Sequence, residues 1–117
     1  MTDAPTDADR SEPAARIALL RALAAESPDD ATTLFLLGRE LVAGGLADEA
    51  AVAFAAAIVA DADYTAAYRQ MGNALEAAGR SAEAADAYRR GAAVAERTND
   101  LQAGKEMRAF LRRMERD

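Results

Sequence analysis

The 117-residue chain contains no cysteine, no histidine and no tryptophan, and only three prolines. Without thiols it has no disulfide staples, and without thiols or imidazoles it has no thiolate or imidazole zinc site, no nucleophilic sulfur and no imidazole acid–base catalysis. Aromatic residues are scarce, at 5%, although 51% of positions are hydrophobic. Alanine fills that gap, with 33 occurrences. As the best helix former, and a side chain small enough to let helix axes come close, it predicts an all-α fold with a thin core and few bulky side chains. No apolar run approaches the roughly 18 residues of a membrane span, and the opening MTDAPTDADRSE is polar and acidic, unlike a secretory leader. The expectation is a cytoplasmic protein that does not bind membranes.

Reaction chemistry is missing as well. There is no phosphate loop of the Gly-x-x-x-x-Gly-Lys type and no Glu-x-x-His pair for a di-metal bundle. The many carboxylates fall at turns and outward helix positions. The reading is therefore of no catalytic residues, no metal and no cofactor. Net charge is −6, unevenly spread: residues 1–64 carry 4 basic and 12 acidic groups (net −8), residues 65–117 carry 10 basic and 8 acidic (net +2). An acidic surface argues against nucleic acid as a ligand. The asymmetry itself fits either solvated helix faces or a head-to-tail contact between unlike halves.

What the chain does have is an echo. Laying residues 31–64 over residues 65–98 superposes Leu34 on Tyr68, Leu37 on Met71, Gly38 on Gly72, Leu41 on Leu75, Gly45 on Gly79, Phe54 on Tyr88 and Ala57 on Gly91. A period of 34 with apolar, glycine and alanine positions held fixed marks a helix–turn–helix solenoid repeat. Local patterns place the helices at about 13–26, 31–43, 48–60, 65–77, 82–96 and 99–115. Pro13 suits a first helical turn, Gly44-Gly45 and Gly79 supply tight reversals, and Ser81 is a candidate N-cap. Gly38 and Gly72 lie inside helices, where each costs about 1 kcal/mol relative to alanine. Close passage of a neighbouring helix, packed through Phe54 or Tyr88, gives the steric reason. Residues 1–12 lack periodicity and read as a disordered acidic tail. The segment from Asp100 puts Leu101, Met107, Phe110, Leu111 and Met114 on one side; continuing the 34-residue register puts Lys105 and Glu106 where Met71 and Gly72 stand, so it reads as a cap and not as a third full repeat.

These residues resemble the tetratricopeptide repeat (TPR) family, whose pattern the first repeat meets with Leu34, Leu37, Gly38, Leu41, Ala50, Phe54 and Ala57 and the second with Tyr68, Met71, Gly72, Leu75, Ala84, Tyr88 and Gly91. Ala62 and Glu96 stand where the family usually has proline, while Pro28 occupies that place one period earlier, which makes the first helix the second half of a degenerate leading repeat. The closing segment is similar to that of small two-repeat bacterial members. The resemblance implies a right-handed α-solenoid of about six antiparallel helices in a single domain over residues 13–117: a half-repeat at 13–30, repeats at 31–64 and 65–98, and a capping helix at 99–117.

It also implies a concave groove lined by the first helix of each repeat. The contact positions carried over are Thr32, Phe35, Leu36, Arg39, Val42 and Ala43, then Ala66, Arg69, Gln70, Asn73, Glu76 and Ala77. Of these, Phe35, Leu36 and Val42 form an apolar anchor, with Arg39, Arg69 and Asn73 as a polar clamp and Gln70 and Glu76 beside them. Arg69 and Asn73 resemble part of the carboxylate clamp with which some TPR domains grip a peptide's C-terminus. The function implied is protein–protein interaction, holding a peptide or helix of a partner as an adaptor or assembly factor. The alternative is a self-associating module whose groove forms a homodimer seam. Arg108, Arg112, Arg113 and Arg116 make a second surface, either for phosphate or acidic peptide or simply a solvated cap face.

Overall fold

A computed structural model describes residues 7–116, with side chains from Glu12 onward. Among these residues the fold is all-helical: α1 (Asp7–Glu26), α2 (Ala31–Ala43), α3 (Ala47–Ala60), α4 (Thr65–Ala77), α5 (Ser81–Thr98) and α6 (Leu101–Arg116). The first expected boundary needs correction, because α1 begins at Asp7 and Pro13 lies inside it. Pro13 stands in the second turn of α1, where its ring removes one backbone bond back toward the helix start. Of the expected disordered tail, residues 7–12 are helical and residues 1–6 lie outside the described residues. Ser81 is the first residue of α5 and makes no cap; Arg80 occupies the N-cap position without a side-chain bond.

Both hairpins turn the same way because the same residue recurs. Gly45 and Gly79 have φ of +78° and +76°, and each turn closes with an amide reaching back five residues, Leu46 N–H to Leu41 C=O and Arg80 N–H to Leu75 C=O, both at 2.8 Å. The interior glycines have the predicted cause. A Cβ on Gly38 would stand 2.5 Å from the Phe54 ring, and one on Gly72 would overlap the Tyr88 ring. Phe54 and Tyr88 are fully buried, in a core otherwise built largely from alanine.

Each helix packs on the next in sequence, and in addition α2 draws close to α4 and α4 to α6. The helices α1, α3 and α5 stay further apart and reach one another through long side chains, Arg21 to Glu49 and Arg80 to Asp48. The row α2–α4–α6 is thus the inner side of a curved α-solenoid, and α1–α3–α5 the outer.

The last helix corrects the register. α5 continues to Thr98, and Asn99 ends it in the left-handed conformation, so α6 starts two residues later than a strict 34-residue step would put it. With that offset Ala103 aligns with Ala67, Met107 with Met71 and Leu111 with Leu75, while Arg108 takes the place of Gly72. α6 is a third inner-row helix that lacks the glycine. Met107 is fully buried over Gly91, but Leu101, expected on the buried side, is largely exposed.

Candidate functional site

The inner row carries the contact positions drawn from the sequence, and the structure divides them into two halves. Between α4 and α6 they are tied together. Arg69 Nη1 donates to Glu106 Oε2 at 2.5 Å, and Arg113 Nη2 donates to both Glu76 carboxylate oxygens at 2.9 Å. Each pair spans 37 residues, as parallel helices at one offset require. The Tyr88 hydroxyl comes up from beneath, 2.5 Å from Glu76 Oε2 and 2.6 Å from Asn73 Oδ1. Its pKa is pushed well above the usual tyrosine value by burial first, then by the bond to Glu76 and that group's charge, with Arg113 opposing. Arg69 in turn holds the Glu106 carboxyl below its ordinary range. Thr65, Ala66, Arg69 and Glu106 line a cleft of about 190 Å³ between α4 and α6. The guanidinium of Arg69 already has a carboxylate, and the amide of Asn73 already faces a hydroxyl.

Along α2 the inner face is open, on the side toward α1. Arg39 makes no ion pair among the described residues; its charge acts on Tyr64, whose pKa is raised by burial and by Asp61 and lowered by Arg39. Leu36 and Val42 are about two-fifths exposed, at 41% and 42%. Leu36, Arg39, Glu40 and Ala43, with Leu20 of α1, border a cleft of about 340 Å³. Gln70 is half-buried on the facing helix. Phe35 has moved inward: its ring stacks on Tyr64 at 4.8 Å between centroids and tilts against Phe54 at 5.6 Å. Tyr64, which precedes α4, was not among the contact positions read from the sequence. The tie from Tyr88 to Asn73 and Glu76 was also not foreseen, although the twelve-residue step from Glu76 to Tyr88 across a short turn is the signal that was there to read.

On α6, Arg113 is engaged with Glu76, whereas Arg108, Arg112 and Arg116 are exposed and make no ion pair among the described residues. No described helix is long and apolar enough to cross a membrane.

Two helical hairpins in a 34-residue register, each seating an aromatic ring on a glycine, define a helical-repeat protein, and comparison with known sequences shows which kind. The chain belongs to the TPR repeat-containing proteins. It is 36% identical over 97 residues to the TPR repeat-containing protein PA0015 of Pseudomonas aeruginosa, a match covering 83% of this chain and 92% of that one. Among solved structures it is similar to protein BPP2914 from Bordetella parapertussis, with a TM-score of 0.72, 32% identity, and coverage of 86% and 87% of the two chains. No family-level sequence profile matches. Membership supports a general protein-interaction module, of the kind that in most TPR proteins is a scaffold and not an enzyme.

Proposed function

We propose that the inner face of this chain holds a peptide or helix of a partner protein over its open half along α2, as an adaptor or assembly factor. The observation that carries the reading is the pairing of exposed apolar side chains, Leu36 and Val42, with an arginine that has no carboxylate of its own among the described residues, Arg39. Apolar side chains left in water beside an unpaired cation favour a ligand with both an apolar residue and an acidic group. Gln70, half-buried on α4, lies outside the residues that border this cleft. Phe35 supports the floor through Tyr64 and does not itself project. Arg69 and Glu76 act as the brace to α6 and Asn73 accepts from the Tyr88 hydroxyl of α5, which weighs against their use as a carboxylate clamp.

Peptides selected from a random display library on the purified protein provide the test. Titration calorimetry should show the selected peptides losing at least tenfold in affinity to the Arg39→Glu/Val42→Asp variant, with free and amidated C-termini binding equally well. Undiminished binding to that variant rejects the open-half groove. Loss of binding on amidation instead restores the clamp at Arg69 and Asn73.

A further inference from the structure

The two ends of the solenoid are halves of one repeat. α1 is an outer-row helix with no inner-row mate in front of it, and α6 is an inner-row helix with no outer-row mate behind it, among the described residues. The 34-residue register makes the consequence visible at individual side chains. Leu19 and Leu23 stand one period before Ala53 and Ala57, which α3 buries against its own inner-row helix at 6% and 0% exposure; Leu19 is 60% exposed and Leu23 42%. Large apolar groups are thus left in water at positions where the repeats bury small ones.

The opposite end has the reciprocal change. Inside the second repeat a large inner-row residue, Tyr68, lies against a small outer-row one, Gly91: a Cβ on Gly91 would stand 2.6 Å from the Tyr68 Cβ. In the first repeat the corresponding residues are Leu34 and Ala57. At the ends the sizes are exchanged: α6 has Gly104 at the Tyr68 position, and α1 has Leu23 at the Gly91 position. Gly104 is buried under the flexible Arg108 guanidinium, 3.1 Å from where a Cβ would stand, with Ala95 at 3.4 Å, and it borders a cleft of about 370 Å³ with Leu101 and Arg108, so room for a bulky neighbour depends on Arg108 swinging aside.

Charge follows the same division. Helices within a repeat run antiparallel, so an α1 laid on α6 would bring its N-terminal turns, acidic on balance in sequence (Asp7, Asp9 and Glu12 against Arg10, with Glu12 paired to Arg16), beside the C-terminal turns of α6, basic on balance (Arg112, Arg113 and Arg116 against Glu115). Arg108, Arg112 and Arg116 have no carboxylate partner of their own among the described residues. Opposite charges meet there, and the helix dipoles lie antiparallel.

We infer that the occupant of each end is a second copy of this chain: α6 of one molecule and α1 of the next close a further repeat between them, so that copies associate head to tail. A contact between two different surfaces does not close on itself at two molecules unless the rotation allows it. The association is independent of the inner-face groove.

Light scattering on full-length protein over a concentration series tests this. Wild type is expected to rise in mean mass to at least twice that of one chain. The variants Leu19→Glu/Leu23→Glu and Arg108→Glu/Arg112→Glu, all at exposed positions, are each expected to stay monomeric with unchanged helical circular dichroism. Mixed one to one, they are expected to form a dimer and nothing larger, because the first keeps a working α6 and the second a working α1. The inference is overturned by a wild type that stays monomeric throughout, by a mixture that fails to dimerise, or by the Arg108→Glu/Arg112→Glu protein assembling alone, which would mean α1 pairs with α1.

Discussion

At the scale of single residues, contacts between glycine and aromatic rings decide how near the helices of each repeat come. Alanine at an interior helical glycine ordinarily gains about 1 kcal/mol. At Gly72 the new methyl meets a ring that is fully buried and whose hydroxyl is fixed by Glu76 and Asn73, so it has nowhere to go. Gly72→Ala is expected to lose about 1–3 kcal/mol net by chemical denaturation, the range for overpacked cores. Gly104→Ala meets the far end of the flexible Arg108 side chain, with the Ala95 Cβ at 3.4 Å, and is expected to gain, by at most about 1 kcal/mol; if both substitutions moved stability the same way, steric closeness would not be the cause. Tyr88 also sets a pH dependence. Its folded-state pKa lies above the ordinary value of 10.0 because burial and Glu76 favour the neutral phenol, so its contribution is complete below about pH 10 and is lost as pH rises from there toward the folded value. Tyr88→Phe is expected to flatten the alkaline limb of a stability–pH curve. An unaltered limb would place the sensitivity elsewhere.

At the scale of the element, α2 depends on its first turn more than α3, α4 or α5 does. Asp30 accepts from the Thr32 and Thr33 amides at 3.1 and 3.3 Å and from the Thr33 hydroxyl at 2.8 Å, while α3, α4 and α5 have no side-chain cap. The Thr33 hydroxyl, then the backbone amides against a small burial cost, holds the Asp30 carboxyl below its ordinary 3.8. A depressed carboxylate stabilises above its unfolded pKa and loses that contribution as pH falls through the folded value. Between about pH 4 and pH 2, Asp30→Asn, which keeps an N-cap without a titrating group, is expected to lose less thermal stability than the wild type does over the same range. Parallel acid limbs for the two proteins would remove Asp30 from the account. The Ser-Pro-Asp-Asp segment was legible as a helix stop; that its last residue also starts the next helix depends on Thr32 and Thr33, whose capping role the apolar pattern does not reveal.

At the scale of the whole molecule, a solenoid is held by neighbour contacts alone, so stability grades from the middle outward. α3 and α4 each pack on a helix to either side, whereas α1 packs on α2 alone. Hydrogen exchange on the monomeric Leu19→Glu/Leu23→Glu protein is expected to show α1 amides opening faster than those of α3 and α4, while α6, braced to α4 by Arg69–Glu106 and Glu76–Arg113, is protected above α1. Equal protection in all six helices would mean that the chain opens as one cooperative unit.

The sequence by itself determined the repeat. A 34-residue period, alanine in abundance, and glycines set opposite Phe54 and Tyr88 are local and pairwise facts, and local facts specify helices, turns and the hairpin. The resemblance to the TPR family, and not the pattern alone, put the candidate contact positions on α2 and α4. What only the tertiary structure decided was which of them remain available. Arg69 and Arg39 sit on the same side of corresponding helices, yet one meets Glu106, 37 residues away, and the other meets no carboxylate among the described residues. That outcome depends on how far α5 runs before Asn99 turns it, because the extra turn shifts α6 by two residues and brings Glu106 and Arg113 across from Arg69 and Glu76. A side chain's direction follows from its own helix, but its partner is set by the accumulated offset of every helix between them.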